Sequence, residues 1–341
     1  MCPIQQPKQI IMTTPSPAAF AHTCLISIGA YMFLCATPAP VNAQVVRMEI
    51  LSFQSMTLTD QEFLNGRKDG KPITLAGELR FPRSGTDRLP AVVLLHGSGG
   101  INGGVTDWAQ DLNAMGVATF VVDSFTGRGI VNTINDQSQL GRLAMIVDAY
   151  RALDVLSKHP RIDPARIMLM GFSRGGQSAL YASMKRFQIV YEAPGEEFAA
   201  YLPFYADCGY TYRNDEDVAN RPIRLFHGSA DDYNPIASCR AYVARLKAAG
   251  KDVVLTEYAG AVHVFDWQAL TKPLKLEKAQ RTGQCALAER QDRVIINTKT
   301  QQPFTYADPC VTFGPTLVYD VNASTESRRA IKEFVETTLK P

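Results

Sequence analysis

The sequence has no C-x-x-C pair and no clustering of cysteine with histidine, the patterns that hold structural zinc. It has no run or stripe of basic residues, and its net charge is only +2. Nucleic acid and anionic membrane surfaces are therefore not expected as partners. Internal repeats and low-complexity linkers are missing, so one domain is the simpler reading of the chain beyond its N-terminus. A membrane-spanning helix needs about 20 apolar residues, and the nearest candidate, Cys24 to Ala36, has about 13. Over 341 residues, 46% are apolar and 20% charged, an ordinary globular mixture with ample length for a large core.

The first 43 residues differ from the rest: they carry one charged residue, Lys8, and no acid. The apolar stretch has the length of a signal-peptide core. Val41-Asn42-Ala43 then supplies small residues at the −3 and −1 positions of a cleavage site. These features predict a cleaved signal peptide over 1–43, a mature chain from Gln44, and export to the periplasm or beyond. No stable membrane insertion is expected after cleavage. Met32-Phe33-Leu34-Cys35 does not match a lipoprotein box.

Cysteine usage points the same way. Cys2, Cys24 and Cys35 fall in the segment to be removed, leaving Cys208, Cys239, Cys285 and Cys310. An even set in an exported protein suggests disulfides. Cys208 follows an apolar run, Tyr201 to Ala206, that leads to a sheet rim, and Cys239 begins the helix after a nearby loop. Cys285 and Cys310 share one polar segment. The expected pairs are Cys208–Cys239 and Cys285–Cys310.

Strand-like runs at Val46–Phe53 and Thr74–Phe81 open the mature chain, separated by a turn cluster at Gly66 to Gly70. Pro90 to Leu95 is continuously apolar, as in a strand buried on both faces. From there strands (117–122, 167–170, 223–226, 253–258) alternate with helical patterns (107–115, 140–158, 177–186, 237–249, 326–339). This alternation predicts an α/β fold with a mostly parallel central sheet and helices on both faces. The segment 269–322 interrupts it. That segment is polar, rich in Gln and Thr, and reads as a surface excursion that needs its own staple.

The chemistry concentrates at strand ends. Ile167 to Met170 is apolar, Gly171-Phe172-Ser173-Arg174-Gly175 follows, and a helical pattern starts at once. Strand, sharp turn and helix are the context of a nucleophile elbow, which lifts a serine hydroxyl above a sheet edge. A serine hydroxyl is a weak nucleophile until a base takes its proton, and that base needs a partner to orient it. Asp231 lies just past one strand end and His263 just past the next. His96 and His227 precede glycines at strand ends, where a structural role fits better. Asp232 competes with Asp231, but Gly-x-x-Asp with a proline four residues on favours Asp231. Two N–H donors for a developing oxyanion are expected at Arg174 and at Ser98, within His96-Gly97-Ser98-Gly99-Gly100. Arg128 follows another strand end. It either faces the pocket to hold a substrate carboxylate or pairs with Asp123 to fix its loop.

Together these pieces resemble the α/β-hydrolase fold and, within it, the dienelactone hydrolase family. The resemblance runs from about Leu75 to Trp267 and includes the last helix. Its residues are His-Gly-Ser-Gly-Gly (96–100), Asp-Ser-Phe-Thr-Gly-Arg-Gly (123–129), Gly-Phe-Ser-Arg-Gly-Gly (171–176), Gly-Ser-Ala-Asp-Asp-Tyr-Asn-Pro (228–235) and His-Val-Phe-Asp (263–266). The family's namesakes carry a cysteine nucleophile where Ser173 stands, so the chain looks like the family's serine-bearing, exported branch. The resemblance implies a generic hydrolase, and the namesakes' lactone substrate does not carry over with it. With Ser173, Asp231 and His263, the expected activity is a serine hydrolase that cleaves a small-molecule carboxylic ester, lactone or thioester, with no cofactor and no metal required. A prolyl-oligopeptidase-like peptidase and a catalytically idle binding protein are the rival readings.

Overall fold

The structure is a computed structural model and describes residues 47–339. The predicted signal peptide lies outside the described residues.

The described residues begin with β1 (Arg47–Thr57), a short helix α1 (Asp60–Leu64) and β2 (Lys71–Phe81). Thr59 and Glu62 close a capping box that starts α1. Then come β3 (Leu89–Leu95), α2 (Gly103–Ala114), β4 (Ala118–Asp123), α3 (Ala144–Ser157), β5 (Ile162–Phe172), α4 (Arg174–Tyr181), α5 (Lys185–Tyr191) and β6 (Tyr201–Phe204). After the two-residue β7 (Tyr210–Thr211) follow β8 (Ile223–Gly228), α6 (Ile236–Ala248) and β9 (Val253–Tyr258). α7 (Val321–Thr338) comes last, with Asp320 accepting the Ala323 N–H as its cap.

Eight strands form one sheet in the order β1-β2-β4-β3-β5-β6-β8-β9. β2 runs antiparallel to β1 and β4, and the remaining neighbours are parallel. β3 sits near the middle, and its period-2 geometry divides its apolar run between two cores. Val93 and Leu95 belong to the core that also takes in residues of α3, α4 and α6, whereas Val92 and Leu94 belong to the one shared with α2 and α7. Both faces are therefore covered by helices. β1 is an edge strand and alternates exposed with buried positions instead. The parallel strands all point their C-terminal ends to one rim, where α/β sheets bind ligands.

The expected helix over 177–186 divides into α4 and α5. The interruption is at Ser183, whose buried hydroxyl bonds the Leu180 carbonyl and diverts it from the helical ladder. The segment 269–322 is built from short strands: β10 (Leu274–Lys275), β11 (Gln280–Arg281), β12 (Leu287–Glu289), β13 (Ile295–Asn297), β14 (Gln302–Pro303), β15 (Thr312–Phe313) and β16 (Thr316–Leu317). β10 pairs with β16 and β11 with β15, while β12 to β14 form a small sheet with β7. Cys285 and Cys310 are bonded within this segment, and Cys208 is bonded to Cys239 on α6, as the positions of the four cysteines predict.

Candidate active site

Ser173 links β5 to α4 with φ 54° and ψ −113°, a conformation that a non-glycine residue adopts only under constraint. The constraint is packing: its N–H is tied to the Phe204 carbonyl at 3.0 Å. A Cβ on Gly175 would run into the Leu95 carbonyl of β3, and one on Gly171 into the Gly175 carbonyl. Only glycine lets strand and helix approach this closely.

Asp231 follows β8 and His263 follows β9, so two parallel neighbours bring them to the rim beside Ser173. The Ser173 hydroxyl lies 2.9 Å from His263 Nε2, and His263 Nδ1 lies 2.8 Å from Asp231 Oδ2. The other Asp231 oxygen accepts the N–H groups of Tyr233 and Asn234, both at 2.9 Å. Burial alone would raise the Asp231 carboxyl. The His263 imidazole beside it, with hydrogen bonds from His227 and His263, holds it well below the usual carboxylate range. An anionic Asp231 fixes the His263 tautomer, with Nδ1 donating and Nε2 free to accept from the serine.

Asp232 does something else. Its carboxylate accepts the Thr316 N–H at 2.9 Å and pairs with Arg281, so it anchors the segment 269–322. His96 is buried: its Nδ1 donates to the Gly97 carbonyl at 2.8 Å and its Nε2 accepts the Ser124 N–H at 3.2 Å. Burial pushes its pKa down, so it remains neutral and ties two strand-end loops together. His227 donates to the Asn234 carbonyl at 2.7 Å and also lies 3.3 Å from Asp231 Oδ2, a contact that the sequence alone does not disclose.

Ser98 lines the cavity over Ser173. Among the described residues its N–H and that of Arg174 have no hydrogen-bond partner. The Arg174 guanidinium turns away, donating to the carbonyls of Leu140 and Gln137 and to the Gln137 side chain. Gln137 also accepts the Ser98 hydroxyl at 3.1 Å and donates to the Tyr233 hydroxyl. This glutamine therefore ties together three walls of the site.

The expectation that Arg128 faces the pocket is not met. Its guanidinium is buried against Asp148, with bonds of 2.8 and 2.9 Å, and also donates to Thr57 and to the Ser124 and Met56 carbonyls. Nor does it pair with Asp123, which instead accepts the Phe125 and Thr126 N–H groups. The reason is depth: α3 presents Asp148, fully buried, directly under the loop, and a buried carboxylate demands a cation.

A cavity of about 240 Å³ opens over Ser173 and His263. Tyr205 and Tyr233 flank the imidazole, each with its ring centre 4.8 Å away. Tyr205 is anchored by its hydroxyl to Asp266, which also accepts from Trp108. Ser173, Tyr205 and Val264 all line the cavity, and all three are non-glycine residues with positive φ. For the β-branched Val264 that conformation is a genuine outlier, and such strain gathers where a site is held in a set shape. Leu274, Leu276 and Leu317 form the far wall. The segment read as a surface excursion thus closes the site. Position just past the β6 end could have flagged Tyr205, but isolated leucines in a polar stretch carry no such signal. Among the described residues no group of three His, Cys, Asp or Glu is arranged to hold a metal ion, and no helix is long and apolar enough to cross a membrane.

The dienelactone hydrolase family model matches residues 76–283. A Klebsiella pneumoniae protein assigned as a dienelactone hydrolase superposes with a TM-score of 0.53 at 13% identity, covering 84% of this chain and 99% of that one. A dienelactone hydrolase-like promiscuous phosphotriesterase from metagenomic libraries gives 0.54 at 16% identity, covering 86% and 99%. At these identities the likeness concerns the fold. A comparison with curated proteins found no match. The family match spans more than half of the sequence and contains the elbow, both strand-end loops and the glycine-rich turn: the chain belongs to the dienelactone hydrolase family.

Proposed function

We propose that the protein is a serine hydrolase that cleaves a small carboxylic ester, lactone or thioester through an acyl-enzyme. The observation that carries this reading is the single imidazole bridging Ser173 and Asp231 at 2.9 and 2.8 Å beneath a cavity. His263 takes the Ser173 proton through Nε2 as Oγ attacks the carbonyl carbon. Asp231 supports the imidazolium through Nδ1. The negative charge on the carbonyl oxygen is met by the N–H groups of Arg174 and Ser98, and the α4 N-terminus adds its dipole. When the tetrahedral centre collapses, the C–O or C–S bond to the leaving group breaks, and His263 protonates that group. His263 then activates a water, which attacks the acyl-enzyme and restores the serine. No step calls for a cofactor.

The mature enzyme is proposed to begin at Gln44 after export and to form one hydrolase domain over 44–341. Two disulfides fit an oxidising compartment.

Turnover of p-nitrophenyl esters by the wild type and Ser173→Ala, with fluorophosphonate labelling of both, tests the reading. The substitution should reduce kcat/KM by about 10³-fold or more and abolish labelling. Near-native turnover by a folded Ser173→Ala protein would refute the nucleophile.

A further inference from the structure

We propose that the cavity over Ser173 selects an uncharged ester whose acyl group is small and apolar, and that the segment from Leu274 to Leu317 sets this selectivity. This rests on the ester-hydrolase reading and adds the chemical class of its substrate.

The cavity has no lysine, arginine, aspartate or glutamate among its described lining residues. The buried arginines nearby are already engaged. Arg128 is held by Asp148, Arg142 by Asp207, Gln177 and Tyr306, and Arg174 by main-chain carbonyls. An anionic acyl group entering the cavity would lose its water and meet no cation, a transfer that is strongly unfavourable. An uncharged apolar group meets Ile134, Val264, Trp267, Leu274, Leu276 and Leu317 instead.

The wall is constructed rather than incidental. Along the β10 segment Leu274 and Leu276 line the cavity, while Lys275 between them stays outside and pairs with Glu277. Leu317 on β16 lies beside His263 through a bridge between the two backbones. Leu317 also packs with Tyr233 and Ala279 in a small apolar cluster of its own, apart from the two main cores. Three ties hold the segment over the rim. Asp232 accepts the Thr316 N–H, Arg281 reaches the Asp232 carbonyl, and the Gln280 side chain accepts the Gln137 N–H at 2.9 Å. The cavity volume of about 240 Å³ lies below the usual range for drug-sized ligands, so the group accommodated is small.

Binding can be read without turnover. Trp267 lines the cavity, and the chain's only other tryptophan, Trp108, is fully buried. The full-length mature Ser173→Ala protein is titrated at pH 8 with methyl butyrate and with monomethyl succinate, its carboxylate-bearing counterpart. Fluorescence is followed, with Trp267→Phe in the same background as the control. Methyl butyrate should bind at least about 10-fold more tightly, and Leu276→Arg should cancel or reverse that preference. Ile134→Arg, on the neighbouring loop, repeats the test with the segment itself unaltered. Equal or tighter binding of the succinate overturns the proposal, and so does a failure of both esters to bind. Wild-type turnover of methyl butyrate is scored separately. Binding without turnover would remove the hydrolase reading while leaving the ligand class in place.

Discussion

Asp231 and Asp232 are adjacent in the chain but serve opposite sides of the site: Asp231 meets His263 at 2.8 Å, whereas Asp232 accepts the Thr316 N–H at 2.9 Å. The two substitutions should therefore separate kinetically. Asp231→Asn should lower kcat by about 10³- to 10⁴-fold, because the amide no longer supports the imidazolium or fixes its tautomer. Asp232→Asn should leave kcat within a few-fold and raise KM, because it loosens the wall rather than the chemistry. Steady-state kinetics on one p-nitrophenyl ester decides. Equal losses of kcat would contradict the division of roles.

Glu192 gives the fold a pH dependence unrelated to catalysis. Burial, with Glu197 and Glu196 nearby, pushes its carboxyl up to about 8. The folded pKa lies above the unfolded one, so the stabilising contribution is complete below the ordinary glutamate range. It is lost as pH rises toward 8. Glu192→Gln should match the wild type near pH 4. Above pH 8 it should be more stable by about 1–2 kcal/mol, a figure reduced for solvent screening of a partly exposed side chain. Urea unfolding at both pH values measures this, and a pH-independent difference would exclude Glu192 as the cause.

Arg128 is structural here. Arg128→Ala strands Asp148 in the core and should destabilise the fold by about 3–5 kcal/mol. The folded fraction should keep its KM for any ester. Denaturant unfolding and kinetics on the same sample test both parts. A selective KM change at unaltered stability would return Arg128 to the substrate.

Non-reducing peptide mapping of protein secreted by a bacterium should recover Cys208–Cys239 and Cys285–Cys310, and mass spectrometry should place the N-terminus near Gln44. Replacing Cys285 and Cys310 by alanine should lower stability by about 3 kcal/mol, the chain-entropy value for a loop of that size. Free thiols in the secreted protein, or an intact Met1 or Met12 start, would count against export.

By itself, the sequence determined what depends on local pattern. The buried run before Gly171 and the helix pattern after it gave the elbow. The alternation of strands and helices gave the sheet, and position just past a strand end marked Ser173, Asp231 and His263 as sharing one rim. These follow from backbone periodicity and from the rule that parallel strands end together. The capping box at Thr59 and Glu62 was equally local and would have marked α1. Tertiary structure alone decided the rest. Arg128 found Asp148 rather than Asp123 because α3 crosses beneath its loop, and no spacing between positions 128 and 148 records that crossing. His227 came within reach of Asp231 through the bend of the loop after β8. Leu274, Leu276 and Leu317 became a cavity wall because hydrogen bonds accepted by Asp232 and Gln280 hold a polar segment over the rim. An alternation as short as Leu274-Lys275-Leu276 is too brief to read as an element, so what these residues line depends on what other parts of the chain bring to them.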